Sequence, residues 1–239
     1  MGEGEVSDIL GVVRNDPPTE PGPQRVARDP SHTPASGSTA AHTRLRGVIV
    51  AGHLGDAAVA RGALEDPDPA VRAAAVGALA RAGALLVADV TSALEDPSPL
   101  VRRRACQEAA GVGGRGSRAT LPGALAGALR DGDPLVVEAA CWAIGERRPA
   151  GSVGGLLEVA SGHPDARCRE AAVGALGALG DPAGLPGVLG ALDDKVTVRR
   201  RAAVALAAFD GPDVDEALQR CLADHDWQVR QAAEVLLEQ

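Results

Sequence analysis

The sequence predicts an all-α protein, a right-handed α-solenoid of about six antiparallel helix pairs with a half repeat as its N-terminal cap. Three observations carry that expectation. The chain repeats itself in units of about thirty residues. An alanine recurs at a fixed offset inside every unit. The composition holds one Phe, two Trp and no Tyr, which suits thin layers of closely packed helices better than a core filled by rings.

The units align on an arginine slot. "LEDPDPAVRAAAVGAL" from Leu64, "LEDPSPLVRRRACQEA" from Leu94 and "LRDGDPLVVEAACWAI" from Leu129 are followed by "SGHPDARCREAAVGAL" from Ser161, "LDDKVTVRRRAAVAL" from Leu192 and "LADHDWQVRQAAEVL" from Leu222. The slot runs Arg72, Arg102, Val137, Arg169, Arg199, Arg230, in steps of 30, 35, 32, 30 and 31. Three residues on stands an alanine each time: Ala75, Ala105, Ala140, Ala172, Ala202, Ala233.

Each unit reads as two helices. The first ends before an Asp-containing turn, and the second begins near the Val-Arg pair. Pro69, Pro99 and Pro134 fall at the start of the second helix, where a missing N–H costs nothing. Glycine-bearing stretches such as "RAGA", "LGDPAG" and "FDGPD" end it. "TRLRGVIVAGHLG" before the first unit reads as a lone second helix. Residues 1–42 are different material, rich in Pro, Ser, Thr and Gly, and are expected to form a disordered tail. Their one apolar island is "VSDILGVV", either a docking peptide or a frayed terminus. The array is assigned to residues 43–239.

The pattern Asp-x-x-x-x-Val-Arg-x-x-Ala resembles the HEAT-repeat family, in particular the short bacterial form related to the repeats of phycobilin lyases. The resemblance covers residues 43–239. It implies a ladder in which the turn Asp and the helix Arg bond to each other and to neighbouring repeats. At that spacing the pairs are Asp66 with Arg72, Asp96 with Arg102, Asp193 with Arg199, and Asp224 with Arg230. The third unit keeps Asp131 but has Val137, and the fourth keeps Arg169 but has His163, so the ladder is broken mid-array. A carboxylate at a helix N-terminus and a charge-assisted bond to Arg give such a ladder its physical basis.

Little in the chain points to catalysis. The five histidines lie in the tail, at the end of the cap and in turns, and no motif for a nucleophile, a phosphate loop or a metal occurs. Deoxyhypusine hydroxylase, another HEAT-repeat protein, holds iron through His-Glu dipeptides, and this sequence has none. "GVGGRG" at 111–116 has no strand before it and reads as a long turn. Cys106, Cys141, Cys168 and Cys221 lack ligand spacing and fall on apolar helix positions, as buried thiols of a reducing compartment do. No cofactor is expected. No leader or membrane span is evident, so a cytoplasmic location is expected. The net charge is −8, split as −3 over residues 1–42 and −5 over the remainder. That balance argues against nucleic acid or anionic lipid as partners.

What remains is a surface. Second helices should line the concave side, and the period of 3.6 puts two columns into the groove. One is Ala73, Arg103, Glu138, Glu170, Arg200, Gln231, and the other is Gly77, Gln107, Trp142, Gly174, Val204, Val235. Trp142, Gln107, Glu138, Glu170, Arg103 and Arg200 are the expected partner contacts. Gly174 should leave space beside the Trp142 ring, with Glu146 a turn beyond. Either Trp142 meets a partner there, or it fills a core short of large side chains. Trp227 should cover the last layer. The function expected is a non-catalytic interaction scaffold that binds another protein. The alternatives are an enzyme-associated subunit of phycobilin-lyase type, and a HEAT-like protein gripping nucleic acid through "RRR" at 102–104 and 199–201.

Overall fold

A computed structural model describes residues 36–113 and 121–238. The tail to residue 35, its apolar island, and the end of "GVGGRG" therefore lie outside the described residues. Helix α1 (Ser36–Leu54) is the half repeat. It starts earlier than the sequence suggested, so residues 36–42 belong to the helix. Six pairs follow: α2 (Ala57–Gly62) with α3 (Pro69–Arg81), α4 (Val87–Leu94) with α5 (Pro99–Ala109), and α6 (Leu121–Ala128) with α7 (Pro134–Arg147). Then come α8 (Val153–Gly162) with α9 (Ala166–Leu179), α10 (Leu185–Gly190) with α11 (Val196–Ala205), and α12 (Pro212–Cys221) with α13 (Trp227–Leu237). Among the described residues there is no strand. Each even-numbered helix packs on the odd-numbered one after it, and successive odd-numbered helices pack on each other. That is an α-solenoid.

The turn chemistry explains where the second helices begin. Asp68, Asp133, Asp165 and Asp226 are N-caps whose carboxylates accept the N–H two residues on, at 2.8, 2.8, 2.9 and 3.1 Å. Proline holds the first helical position in α3, α5 and α7. Such caps satisfy N–H groups that no helix can satisfy internally.

Packing explains the alanines. Ala75, Ala105, Ala140, Ala172, Ala202 and Ala233 are all completely buried. Neighbouring second helices approach too closely for larger groups. A Cβ added to Gly52 would lie 2.7 Å from the Ala78 Cα, and one added to Gly177 would lie 2.8 Å from the Ala205 Cβ. Leu79, Leu125, Ile144, Leu156, Leu176 and Leu206 supply the bulk between layers. The core needs no rings, as the composition suggested.

The Asp–Arg ladder is present, with a register of its own. Each ladder arginine that has a layer after it reaches forward to that layer. Arg72 donates from Nε and NH2 to Asp96 at 2.8 and 2.9 Å, Arg102 to Asp131 at 2.7 and 2.8 Å, and Arg199 to Asp224 at 2.9 and 3.0 Å. Within its own unit each arginine bonds the backbone of the turn: Arg72 NH1 donates to the Asp66 carbonyl, Arg102 to that of Asp96, and Arg230 to that of Asp224, each at 2.8 Å. The same-unit pairing of side chains therefore gives way to a same-unit backbone tie and a next-unit ion pair. One guanidinium thereby fixes its own turn and the layer after it.

Asp193 is not a rung. Arg169 pairs with Asp194 at 2.6 and 2.7 Å, and the Arg199 NH1 bonds the Asp194 carbonyl. The turn of the fifth unit is one residue shorter, which moves the functional carboxylate one place along. Arg44 of the half repeat adds a rung to Asp66 at 2.7 Å. The ladder Asp96, Asp131, Asp194 and Asp224 carboxylates are held below the ordinary carboxylate range, first by the arginine hydrogen bond and against some desolvation.

The ladder is broken mid-array, but at one rung, between the third and fourth layers: Asp131 and Arg169, which same-unit pairing leaves without partners, are bound by Arg102 and Asp194. Val137 is fully buried where arginine stands elsewhere. The His163 Nδ1 accepts the Asp165 N–H at 3.1 Å, the turn bond that Asp66, Asp96, Asp131 and Asp224 make with a carboxylate oxygen.

Candidate functional site

The exposed edge of the second helices carries two cavities. The larger, about 620 Å³, spans α5, α7, α9 and α11. Its floor is made of Ala139, Gly145, Ala171, Gly174, Ala175 and Ala178. Its rim carries Arg103, Gln107, Glu138, Trp142, Glu146, Arg167, Glu170 and Arg201. The second, about 550 Å³, runs back over α3 to α1 and shares Arg103 and Gln107 with the first. The two form one continuous trough.

Trp142 is 49 % exposed, so it is a wall of this trough and not core filling. Helix geometry requires this. Val137, Ala140, Cys141 and Ile144 take the inward face of α7 and are buried, which leaves positions 138, 142 and 146 on the opposite stripe.

Five of the six expected contacts line the trough: Trp142, Gln107, Glu138, Glu170 and Arg103. Arg200 does not. Its Nε and NH2 are bound to both oxygens of Asp226, at 2.9 and 2.6 Å, as a second tie between the last two layers. That contact and the Arg200 charge lower the Asp226 carboxyl to about 2. The space expected beside Gly174 is taken by Arg201, since a Cβ on Gly174 would lie 3.2 Å from the Arg201 Cδ. Arg104 covers Gly77 in the same manner. The third arginine of each "RRR" run thus lies back over a glycine of the preceding layer.

The sequence reading missed Arg167 and Arg201 as rim residues. Arg201 follows Arg200, and only the paired glycine one layer back signals where its stem goes. Arg167 precedes the buried Cys168, in the slot where other units carry Ala, Leu, Thr or Gln, and nothing in the repeat marks it.

The rim charges differ in how far they are committed. The Arg167 NH2 is held by Asp165 at 2.7 Å, and that pairing lowers the Asp165 carboxyl to about 2. Arg201 lies 3.7 Å from Glu170. Arg104 lies 3.0 Å from Glu108, although its Nε is misaligned for a hydrogen bond. Glu138, Glu146 and Arg103 take part in no ion pair among the described residues. Trp227 stands at the first position of α13, the last helix of the array, and is 58 % exposed.

The thiols lie away from this chemistry. All four cysteines are buried and free of disulfides, and the Cys168 thiol donates to the Pro134 carbonyl at 3.2 Å. Burial pushes Cys106 and Cys141 up to about 12 and Cys168 to about 11. Among the described residues, no three His, Cys, Asp or Glu side chains converge as metal ligands would. No described helix is long and apolar enough to cross a membrane.

Layered helix pairs, an arginine ladder and a trough along the second helices define a helical-repeat protein. The family model for HEAT repeats matches residues 57–127, 87–154, 121–203 and 154–238, and the chain belongs to the HEAT-repeat family. No curated protein matches the chain in sequence. Solved structures that resemble it include an engineered protein, 21% identical, over 77% of this chain and 95% of that one, with a TM-score of 0.58. A designed armadillo repeat protein in complex with the peptide (KR)4 is 19% identical over 74% and 96%, with a TM-score of 0.55. The complex of CpcE and CpcF of phycocyanin lyase from Nostoc sp. PCC7120 is 24% identical over 76% and 75%, with a TM-score of 0.56. At these identities the likeness is one of fold.

Proposed function

We propose that this protein is a non-catalytic scaffold that binds another protein along the trough of its second helices. The observation that carries the reading is Trp142: a large ring, half exposed, on a floor of alanine and glycine at the centre of a rigid stack. Half-exposed tryptophans beside polar side chains have the make-up of interface hot spots. A solenoid presents such a surface without rearrangement. The partner is a peptide segment or helix lying across several layers.

The arginines support a protein partner over a nucleic acid. In the two "RRR" runs, Arg102, Arg104, Arg199, Arg200 and Arg201 each face a carboxylate of this chain. Arg147, the last residue of α7, donates to the Ala109 and Val112 carbonyls and caps α5. A phosphate backbone would have to compete with these ties and pass Glu138 and Glu170.

The test is site-resolved crosslinking in the native cell. A photoreactive residue at Gln107 should capture a partner, while one at the outward-facing Val59 on α2 should not. Trp142→Ala should reduce capture at least about tenfold while circular dichroism and the melting temperature stay put. Capture from Val59 alone, or capture indifferent to Trp142, refutes the reading.

A further inference from the structure

We propose that Glu138, Trp142 and Glu146 form a receptor for a cationic side chain, a lysine or arginine of the segment that occupies the trough. The inference rests on the reading of the trough as a binding surface and adds the chemistry of its occupant.

The three residues form one stripe on α7, spaced four apart, with about 6 Å of rise between neighbours. All three line the cavity. The indole therefore stands between two carboxylates. Several groups that line the cavity with it, Ala139, Gly145, Gly174 and Ala175, are small, the stem of Arg201 lies over Gly174, and the ring is 49 % exposed. Tryptophan is the best aromatic partner for a cation, and a carboxylate on either side adds direct charge attraction.

Charge balance points the same way. The other acidic rim residue, Glu170, has Arg201, and Arg167 has Asp165. Glu138 feels Arg167 only through space, as a weaker influence than Asp165. With those pairs set aside, the uncommitted rim charges are Glu138, Glu146 and Arg103, a net of −1, and both acids stand on the helix that carries Trp142. Glu146 also stands in the last turn of α7, where the carbonyl end of the helix disfavours a carboxylate and favours a cation. The neighbouring Arg147 is turned onto α5 and donates to the Ala109 and Val112 carbonyls. An added cation would therefore relieve two uncompensated carboxylates and one helix end together.

The chain is built for a direct test. It has two tryptophans and no tyrosine, so Trp227→Phe leaves Trp142 as the only indole. The full-length W227F protein is titrated with acetylated, amidated tetra-arginine, and Trp142 emission should change saturably below about 5 mM peptide. The E138Q/E146Q pair in that background should weaken binding at least about tenfold. An E65Q/E95Q pair, on exposed turns, changes net charge equally and should leave affinity unchanged. Circular dichroism checks that every variant is folded.

Three results would overturn the proposal: no saturable response, a response to tetra-glutamate instead, or equal weakening by both glutamine pairs. The crosslink from Gln107 separates the two readings. If it persists while tetra-arginine fails, the cation receptor falls and trough binding stands. If it is lost as well, trough binding falls too.

Discussion

Replacing Asp131 by Asn should loosen the joint between the second and third layers in a way that depends on pH. The Asp131 Oδ2 accepts the Arg102 Nε at 2.7 Å, and Oδ1 accepts the Arg102 NH2 at 2.8 Å and the Asp133 N–H at 2.9 Å. Asparagine keeps one acceptor for the turn, loses the charge, and points an NH2 group at a guanidinium. Charge-assisted bonds contribute about 1.5–3 kcal/mol each. The two side chains are 19% and 10% exposed, so water compensates part of the loss. The net cost is about 2 kcal/mol, or roughly 4–8 °C in Tm for a chain of this length. The Asp131 carboxyl is lowered first by Arg102, with desolvation opposing. A group lowered in the folded state stabilises fully above the ordinary carboxylate range, about pH 4. That contribution fades as pH falls, because the unfolded chain takes its proton first. The assay is urea unfolding of both proteins at pH 7 and pH 3, with hydrogen exchange of α5 and α7 locating the change. The gap should be full at pH 7 and clearly smaller at pH 3, closing further as acid protonates the folded-state carboxyl. A gap under about 0.5 kcal/mol at pH 7, or one unchanged by acid, refutes the argument.

Gly177→Ala should destabilise by about 1–3 kcal/mol, because its Cβ would meet Ala205 at 2.8 Å and the Ala205 backbone at 3.1 Å. Gly47→Ala, with open space around it on α1, should instead stabilise by up to about 1 kcal/mol; thermal melts decide both signs. The four cysteines should be silent to a thiol reagent at pH 8 and react only on unfolding, since burial holds Cys106 and Cys141 near 12. Val137→Arg alone should cost about 3 kcal/mol, by setting an unpaired charge in a fully buried slot. Adding His163→Asp should recover at least about half of that, and strict additivity in the double-mutant cycle would show that this joint differs from the others.

The repeat was legible because its strongest constraints are local. The alanine slot, the proline at the first helical position and the capping aspartates are each set by a few residues around one turn, and they recur. Register between layers was not legible in the same way. Arg72 lies six residues from Asp66 and twenty-four from Asp96, and spacing alone favours the near partner. Geometry decides otherwise. The NH1 group is drawn to the turn carbonyls, and the opposite edge of the guanidinium then faces the next layer. Two aspartates stand together in the shortened fifth turn, and spacing alone points to Asp193 where the structure uses Asp194. Arg44 was overlooked because its alanine slot holds Gly47. On the surface, a 3.6-residue period placed Trp142, Glu138 and Gln107 correctly. It could not show that Arg200 would be bound by Asp226, or that Arg201 would fold back over Gly174, because long side chains choose partners across layers.

Val137 and His163 look like two independent departures when the units are stacked as sequence. In the forward-reaching ladder they are the two ends of one rung, since Arg44, Arg72, Arg102, Arg169 and Arg199 each pair with the turn residue of the following layer. Loss of one end alone would leave an arginine fork or a carboxylate uncompensated at a partly buried joint. Here both ends have become uncharged together, and each has found another use. Val137 joins the core at full burial, and His163 keeps the turn bond through its Nδ1. The third joint therefore lacks the ladder ion pair found on either side of it, and holds by apolar packing, its turn, the Cys168 Sγ contact to the Pro134 carbonyl at 3.2 Å and an exposed Arg130–Glu158 pair at 2.7 Å. The same helix carries Trp142, Glu138 and Glu146 to the trough. In α7 one face has exchanged a structural charge for packing, while the opposite face carries an open indole between two uncommitted carboxylates. A layer relieved of one polar tie and given a large exposed ring is the layer where partner recognition can be built without disturbing the rest of the stack.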